Sequence, residues 1–397
     1  MAAESVCNSK AQAAYATAAL HLGRAFMLAD QPDPALDHLH AAFDHALPGG
    51  LQPHLPLLIQ EAERCVAYGN HREAIQRWQD IASLLAEATP EPIYHQLSAA
   101  YAANCDGFGG SKEENALWGD CSKHDVLAWL HRWLQPAFYL EIGVDQGVSL
   151  ACASGPAIGV DPRPELKLTA ELLPTARIVA SSSDAFFANQ AAALLQPAPE
   201  LAFIDGMHLF EFALRDLLNT ERVMAPWGLV VIDDIYPCHP VQAHRRRRSS
   251  SWTGDVWKLL PILRQQRPDL TLLCLNAHTT GLLLIAGLDA DNGASGGASN
   301  NATLATDYPE LVRQWRPIAE PPAEVLERHG AIPSNHPLVL ELLQLLIQAR
   351  QQHWSTPELR TALAPLQPRI AAAEQEHAGR ALELSQQPCV LTDSAAV

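Results

Sequence analysis

Residues 137–161 read AFYLEIGVDQGVSLACASGPAIGVD, and the reading of the whole chain starts there. A short apolar run, Phe138 to Ile142, leads into Gly143-Val144-Asp145-Gln146-Gly147, two glycines four residues apart. A small-residue helix is expected next, Val148 to Ser154, and then a second apolar run, Ala157 to Val160, that stops at Asp161. Strand, glycine turn, helix and strand make a βαβ unit. Glycines at such a turn let backbone N–H groups approach a ligand at a helix N-terminus. An acid at the tip of the second strand is where a ribose diol is commonly held.

Two ligand classes stay open at this point, a dinucleotide and S-adenosylmethionine. The spacing is Gly-x-x-x-Gly rather than Gly-x-Gly-x-x-Gly, so a pyrophosphate cradle is not spelled out. Glu141, two residues before the first glycine, suits a ligand that carries an amino group and a sulfonium cation. The plain alternative is a tight turn that only packs a helix on a sheet.

Further along, a third strand, Arg177 to Ala180, ends in Ser181-Ser182-Ser183-Asp184 at the edge where ligands sit in open α/β sheets. Asp184 can accept from an adenine amino group; equally, these residues are good caps for a helix from Ala185 to Leu195. The fourth strand exits as Leu201-Ala-Phe-Ile-Asp205-Gly-Met-His208, followed by a helix from Leu209 to Val223. The fifth, within residues 227–234 (WGLVVIDD), stops at Asp233-Asp234. Adjacent strands thus end in carboxylates at one edge. Asp205, Asp233 and Asp234 would repel one another unless something positive stood between them, and oxygen-only ligands suit Mg²⁺ or Mn²⁺. His208, whose unperturbed pKa is near neutral, is a candidate general base for a hydroxyl. Its plainer role is a helix-start residue satisfied by a carbonyl.

Arg245-Arg246-Arg247-Arg248 follows, either a solvated loop or a lid over an anionic acceptor. The segment Trp252-Thr-Gly-Asp255-Val-Trp257-Lys258 opens another helix; its tryptophans, five apart, do not share a helical face, so one packs and the other can floor an acceptor site. The runs Leu270 to Leu275 and Thr280 to Leu288 are separated by four residues, which demands an antiparallel hairpin.

The rest of the chain is organised around this region. Its 397 residues, 48% hydrophobic, suit two domains plus appendages. Lys and Arg number 27 against 44 Asp and Glu, a net charge of −17 that argues against a nucleic-acid substrate. Eight cysteines form no CxxC pair, so reduced thiols in a cytoplasmic protein are expected, with no membrane span. Residues 11–104 read as helices with the offsets of a tetratricopeptide pair. One copy runs from Leu22-Gly23 to Pro48 and a second through Ala62, Cys65, Gly69-Asn70, Ala74, Trp78 and Ile81 to Pro90. Such a module binds a protein partner, self-associates or simply packs. Residues 105–122 read as a linker, 123–290 as the α/β domain, 303–380 as a helical extension whose apolar Leu338 to Ile347 must bury against something, and 381–397 as a disordered tail.

Residues 123–290 resemble class I S-adenosylmethionine-dependent methyltransferases, in the group with FIDGxH, an acidic pair after the next strand, and WTGDVWK. EIGVDQGVSLA, AIGVDP, SSDAFF, FIDGMHLFEFALRD, VIDDIYP and WTGDVWK occur here in that order. The group includes metal-dependent sugar and natural-product O-methyltransferases. The resemblance implies a Rossmann-like seven-stranded sheet, five parallel strands plus an antiparallel hairpin. It implies cofactor contacts from Glu141, Gly143, Gly147, Ser149, Asp161, Ser183, Asp184 and Asp205, a Mg²⁺ or Mn²⁺ site at Asp205, Asp233 and Asp234, and His208 as base. Asp145 in the glycine turn and Trp227 before the fifth strand depart from the pattern. The expected reaction is O-methylation of a sugar, glycan or natural product; a metal-free N- or carboxylate methyltransferase, and an interaction protein whose sheet domain only binds cofactor, are the alternatives.

Overall fold

The computed structural model describes residues 55–167, 175–289, 300–387 and 389–391, with Ala18 and Leu22 as isolated positions. The chain divides into two compact units: residues 1–105 with 308–319, and residues 106–307 with 320–397.

In the first unit, α1 (Leu55–Ala67), α2 (His71–Leu85) and α3 (Glu91–Ala103) pack in succession. Ala62 and Ala74 are fully buried where α1 and α2 meet, and Trp78 and Ile81 fill the space beside them. Small residues at the crossing let the backbones approach. Nearly all of the first copy lies outside the described residues.

The second unit is built on one sheet. Its elements in chain order are α4 (Lys123–Leu134), β1 (Tyr139–Ile142), β2 (Ala157–Asp161), β3 (Ala176–Ala180), α5 (Ser183–Asn189), β4 (Leu201–Ile204), α6 (Phe210–Val223), β5 (Leu229–Ile232), α7 (Leu259–Gln266), β6 (Thr271–Leu275) and β7 (Leu282–Ala286). Then come α8 (Asn300–Trp315), β8 (Ala331–Ile332), α9 (Pro337–Gln352), α10 (Thr356–Leu363) and α11 (Leu366–His377). Strand order is β3-β2-β1-β4-β5-β7-β6-β8. β1 to β5 pair in parallel, and β7 lies antiparallel between β5 and β6. The expected parallel strands and hairpin are there, but the sheet has eight strands, not seven: β8, from the C-terminal extension, pairs in parallel with β6.

Register explains the site. Val160, Ile142, Ile204 and Ile232 lie abreast across four strands. Asp161, Gly143, Asp205 and Asp233, each one residue on, therefore leave the sheet side by side at its carboxyl edge. The order reverses between β1 and β4, the switch point where open α/β sheets bind ligands.

Several local expectations give way to tertiary context. The helix expected at Val148–Ser154 shortens to a 3-10 turn, Leu150–Cys152, because Leu150 must reach the sheet over Gly159. The helix expected at Ala185–Leu195 begins at Ser183 and breaks at Gln190. After Asp161 the sequence also predicts a helix around Glu165 to Leu173, which falls largely outside the described residues.

The extension is not a separate appendage. Leu338, Val339, Leu342, Leu343 and Leu346 of α9, at helical spacing, join Val126, Leu127, Trp129 and Leu130 of α4 and the side chains of β1, β4 and β5 in one core. At about 1.5–3 kcal/mol per fully buried side chain, those five residues alone match the net stability of a typical domain. Arg328, fully buried, donates to Asn276 Oδ1 and to the carbonyls of Trp118 and Thr279, tying extension, linker and hairpin together. The expected linker is likewise built in: Gln242 donates to the carbonyls of Glu114 and Ala116, and Asp120 accepts from Ser334. Residues 381–387 of the expected disordered tail also have partners, Asn276 donating to the carbonyl of Ala381.

Cys121 and Cys389 form a disulfide across 268 residues, with Cα atoms 5.6 Å apart. This corrects the expectation of reduced thiols for that pair; spacing along the chain could not show a partnership made by folding. Among the described residues no helix is long and apolar enough to cross a membrane.

Candidate active site

The candidate site residues gather at the carboxyl edge. Gly143 has φ 88° and Gly147 φ 81°, the left-handed region that favours glycine. A Cβ on Gly143 would stand 2.0 Å from the carbonyl oxygen of Asp205, so only glycine lets the β1 turn meet the β4 exit. Asp161, at the tip of β2, accepts from the N–H groups of Val144 and Asp145 at 3.1 and 3.0 Å. The acid expected at a ribose thus sits beside the glycine turn.

Three other expected cofactor residues are engaged with the protein. Glu141 is wholly buried and accepts from the hydroxyls of Tyr139 and Ser149, each at 2.7 Å. Burial pushes its carboxyl up to about 8 against the lowering effect of those hydroxyls. Ser149 is spent on the same contact. Asp184 is held by Arg215 in a two-pronged ion pair, 2.7 Å on each arm, which leaves its carboxylate poorly placed for an adenine amino group. Ser183 opens α5 beside it, while Ser182 caps that helix by accepting from Ala185 N–H. Arg215 and the buried Asp216 are site neighbours that the sequence reading missed. Burial first, and the Asp184 carboxylate second, push Asp216 up to about 7.

The acids separate into two groups. Asp205 and Asp233 share Lys123, whose Nζ lies 2.8 Å from Asp205 Oδ2 and also donates to Asp233 Oδ2. Asp233 Oδ1 accepts from the Thr280 hydroxyl and the Asp234 N–H. Asp234 has φ 64°, and this left-handed turn separates it from its neighbour. Its Oδ2 lies 2.8 Å from His208 Nδ1. Burial opposes the charge on Lys123, yet Asp205, Asp233 and Asp234 outweigh it and hold its ammonium well above the ordinary range.

His208 does not lie on the first turn of a helix; it precedes the cap of α6, in a turn built by WTGDVWK. Trp252 stacks on its ring, centroids 5.0 Å apart and planes within 4°. Gly254, at φ 55°, presses so close that a Cβ would stand 1.6 Å from the His208 carbonyl oxygen. Asp255 accepts from Phe210 N–H at 2.9 Å, satisfying a donor at the start of α6, and pairs with Arg245 and Lys258. Nδ1 faces two acceptors, Asp234 Oδ2 and the Trp252 carbonyl, both at 2.8 Å, so it carries the hydrogen. Nε2, 3.7 Å from Asp205 Oδ1, is the nitrogen left for exchange. Burial would lower the His208 pKa, but Asp234 and Asp205 push it up to about 9.

The arginine run is neither solvated loop nor simple lid. Arg245 bridges Glu211 and Asp255, Arg247 stacks over Phe108 at 4.4 Å, and Arg248 is the exposed member.

The oxygen-only metal set does not fit these residues. Both oxygens of Asp233 are committed, one of them to an ammonium in the gap an ion would share. The atoms that do converge, within 4.8 Å of one another, belong to Asp205, His208 and Asp234. That set includes an imidazole, which suits a transition metal better than Mg²⁺.

A family model described as a methyltransferase domain matches residues 140–235, from β1 to just past β5. No curated protein matches the chain. Solved structures with similarity include the O-methyltransferase TomG from Streptomyces achromogenes, involved in tomaymycin synthesis. It is 16% identical over 41% of this chain and 78% of its own, with a TM-score of 0.32. An O-methyltransferase from Bacillus cereus is 13% identical over 53% of this chain and 98% of its own, with a TM-score of 0.35. The N-methyltransferase NodS from Bradyrhizobium japonicum is 14% identical over 41% and 93%, with a TM-score of 0.29. By its domain match, the chain is a methyltransferase.

Proposed function

We propose that this methyltransferase moves the methyl group of S-adenosylmethionine to a hydroxyl of a sugar, glycan or natural product, with His208 as general base. The observation that carries the reading is the Asp234–His208 dyad at the same carboxyl edge of the sheet as Gly143 and Asp161. A carboxylate that holds Nδ1–H leaves Nε2 as the basic atom, the logic of an oriented imidazole. S-Adenosylmethionine would supply a methyl group on a sulfonium leaving group. Gly143 and Gly147 would admit it to the β1 turn, Asp161 would take the ribose diol, and Asp205 would border the reacting end. Nε2 would then take the acceptor proton as the oxygen attacks.

A metal-assisted form, with Mg²⁺ or Mn²⁺ on Asp205, Asp233 and Asp234, would require Lys123 to leave its two partners. Methylation of nitrogen or carboxylate remains a narrower reading, since the oriented base has most to do for a hydroxyl. The helical repeats would bind a protein partner or a second copy.

The test is methyl transfer from radiolabelled S-adenosylmethionine to a panel of sugars and polyols by the full chain, with His208→Gln alongside. Transfer to hydroxyls that falls about 10²–10⁴-fold in the variant supports the reading. Undiminished transfer in the variant removes His208 as base, and absence of S-adenosylmethionine binding by calorimetry removes the reading altogether.

A further inference from the structure

Carboxylates that end neighbouring strands need a positive partner, and this chain supplies one from a lysine side chain. Lys123 Nζ is 2.8 Å from Asp205 Oδ2 and donates to Asp233 Oδ2 as well. An ion bound by Asp205, Asp233 and Asp234 would need an oxygen from each at about 2.0–2.1 Å for Mg²⁺. Its place between the first two is the place of the ammonium. Asp233 has no oxygen to spare, because Oδ1 accepts from Thr280 and from the Asp234 N–H. Asp234 in turn is turned to His208.

The lysine is held there by its whole surroundings. It is the first residue of α4, and Ser122 caps that helix by accepting from His124 N–H. Lys123 N–H donates to the His278 carbonyl at 2.6 Å, and His278 N–H donates to the Cys121 carbonyl at 2.6 Å. Cys121 is bonded to Cys389. The ammonium also lies 5.9 Å from the Phe203 ring centroid, on β4 beneath Asp205. A side chain that could reach water is thus led inward from a backbone fastened on both sides.

We infer that Lys123 is the site's built-in cation: its ammonium holds Asp205 and Asp233 at the acceptor pocket in place of a divalent ion, and the enzyme works without one. This makes Lys123 a positioning residue, acting through the two carboxylates. The inference rests on reading this edge as the methyl-acceptor site, but its test needs no acceptor.

Mn²⁺ alone is titrated into the full chain, with free Mn²⁺ followed by electron paramagnetic resonance. The wild type is expected to bind only at millimolar concentration. Lys123→Gln, which frees the acids, is expected to bind at least ten-fold more tightly, and Lys123→Gln with Asp233→Asn to lose that gain. Micromolar binding by the wild type that Asp205→Asn abolishes would overturn the inference. So would a folded Lys123→Gln protein no better at binding Mn²⁺ than the wild type. Should the lysine variants fail to fold by circular dichroism, the wild-type titration decides alone. Failure of methyl transfer would not move these readouts, so the two readings fail separately.

Discussion

The rings of His208 and Trp252 lie parallel, 5.0 Å between centroids, and the Trp252 carbonyl oxygen is 2.8 Å from His208 Nδ1. One residue of the WTGDVWK segment therefore sets the plane of the proposed base and joins Asp234 in fixing its tautomer. Trp252→Ala, which keeps the main-chain carbonyl but removes the stacked ring, should lower kcat at least about ten-fold with little change in the affinity for S-adenosylmethionine, whereas Trp252→Phe, which keeps an aromatic ring, should retain most activity. Steady-state kinetics together with cofactor calorimetry separate these outcomes.

Gly254→Ala should be worse than any change at Trp252. The residue has φ 55° and its Cβ would overlap the His208 carbonyl, so left-handed strain and a backbone clash add. We expect a loss of at least about 2 kcal/mol in urea unfolding, since αL strain alone costs about 1–2 kcal/mol. An unchanged midpoint would mean the turn relaxes without cost.

Activity should rise with pH. His208 is pushed up to about 9, so it is mostly protonated at neutrality and gains its basic form as pH increases towards that value. The acidic limb of kcat/KM in wild type should therefore extend above pH 7 and vanish in the residual activity of His208→Gln. A wild-type profile flat from pH 6 to 9 would count against His208 as base.

Glu141 predicts a stability profile of the opposite kind from an ion-paired acid. Its folded pKa is raised from 4.5 to about 8, so the folded state keeps a proton that the unfolded chain releases above about 4.5. The stability this confers is present below the unfolded pKa and is lost as pH climbs from about 4.5 to about 8. The difference in Tm between Glu141→Gln and wild type should therefore move in favour of the variant across that window, measured by thermal scans at constant ionic strength.

Truncation after residue 330 should abolish folding of the sheet domain rather than trim an appendage. It removes β8 and the α9 leucines from the core shared with α4 and β1. A soluble, cooperatively melting fragment would show that the sheet closes without them.

Much of this protein was legible in one dimension because the physics involved is local. Alternation of apolar runs with glycine and acid placed β1, β2, β4 and β5, and parallel register put the residue after each strand at one edge; Asp161, Gly143, Asp205 and Asp233 follow from that alone. Local pattern failed where a distant segment outbid it. Asp184 looks free in the sequence, but Arg215, 31 residues on, engages it. The arginine run looks solvated, but Arg245 is drawn to Glu211 and Asp255.

What the sequence determined by itself was a demand: acids ending adjacent strands must be met by positive charge. Which charge meets it was decided in three dimensions. Lys123 stands 82 residues before Asp205 and 110 before Asp233, and only the docking of α4 against the β6–β7 hairpin brings its ammonium between them. No periodicity or spacing encodes that meeting, because electrostatic energy depends on distance through space and not on separation along the chain.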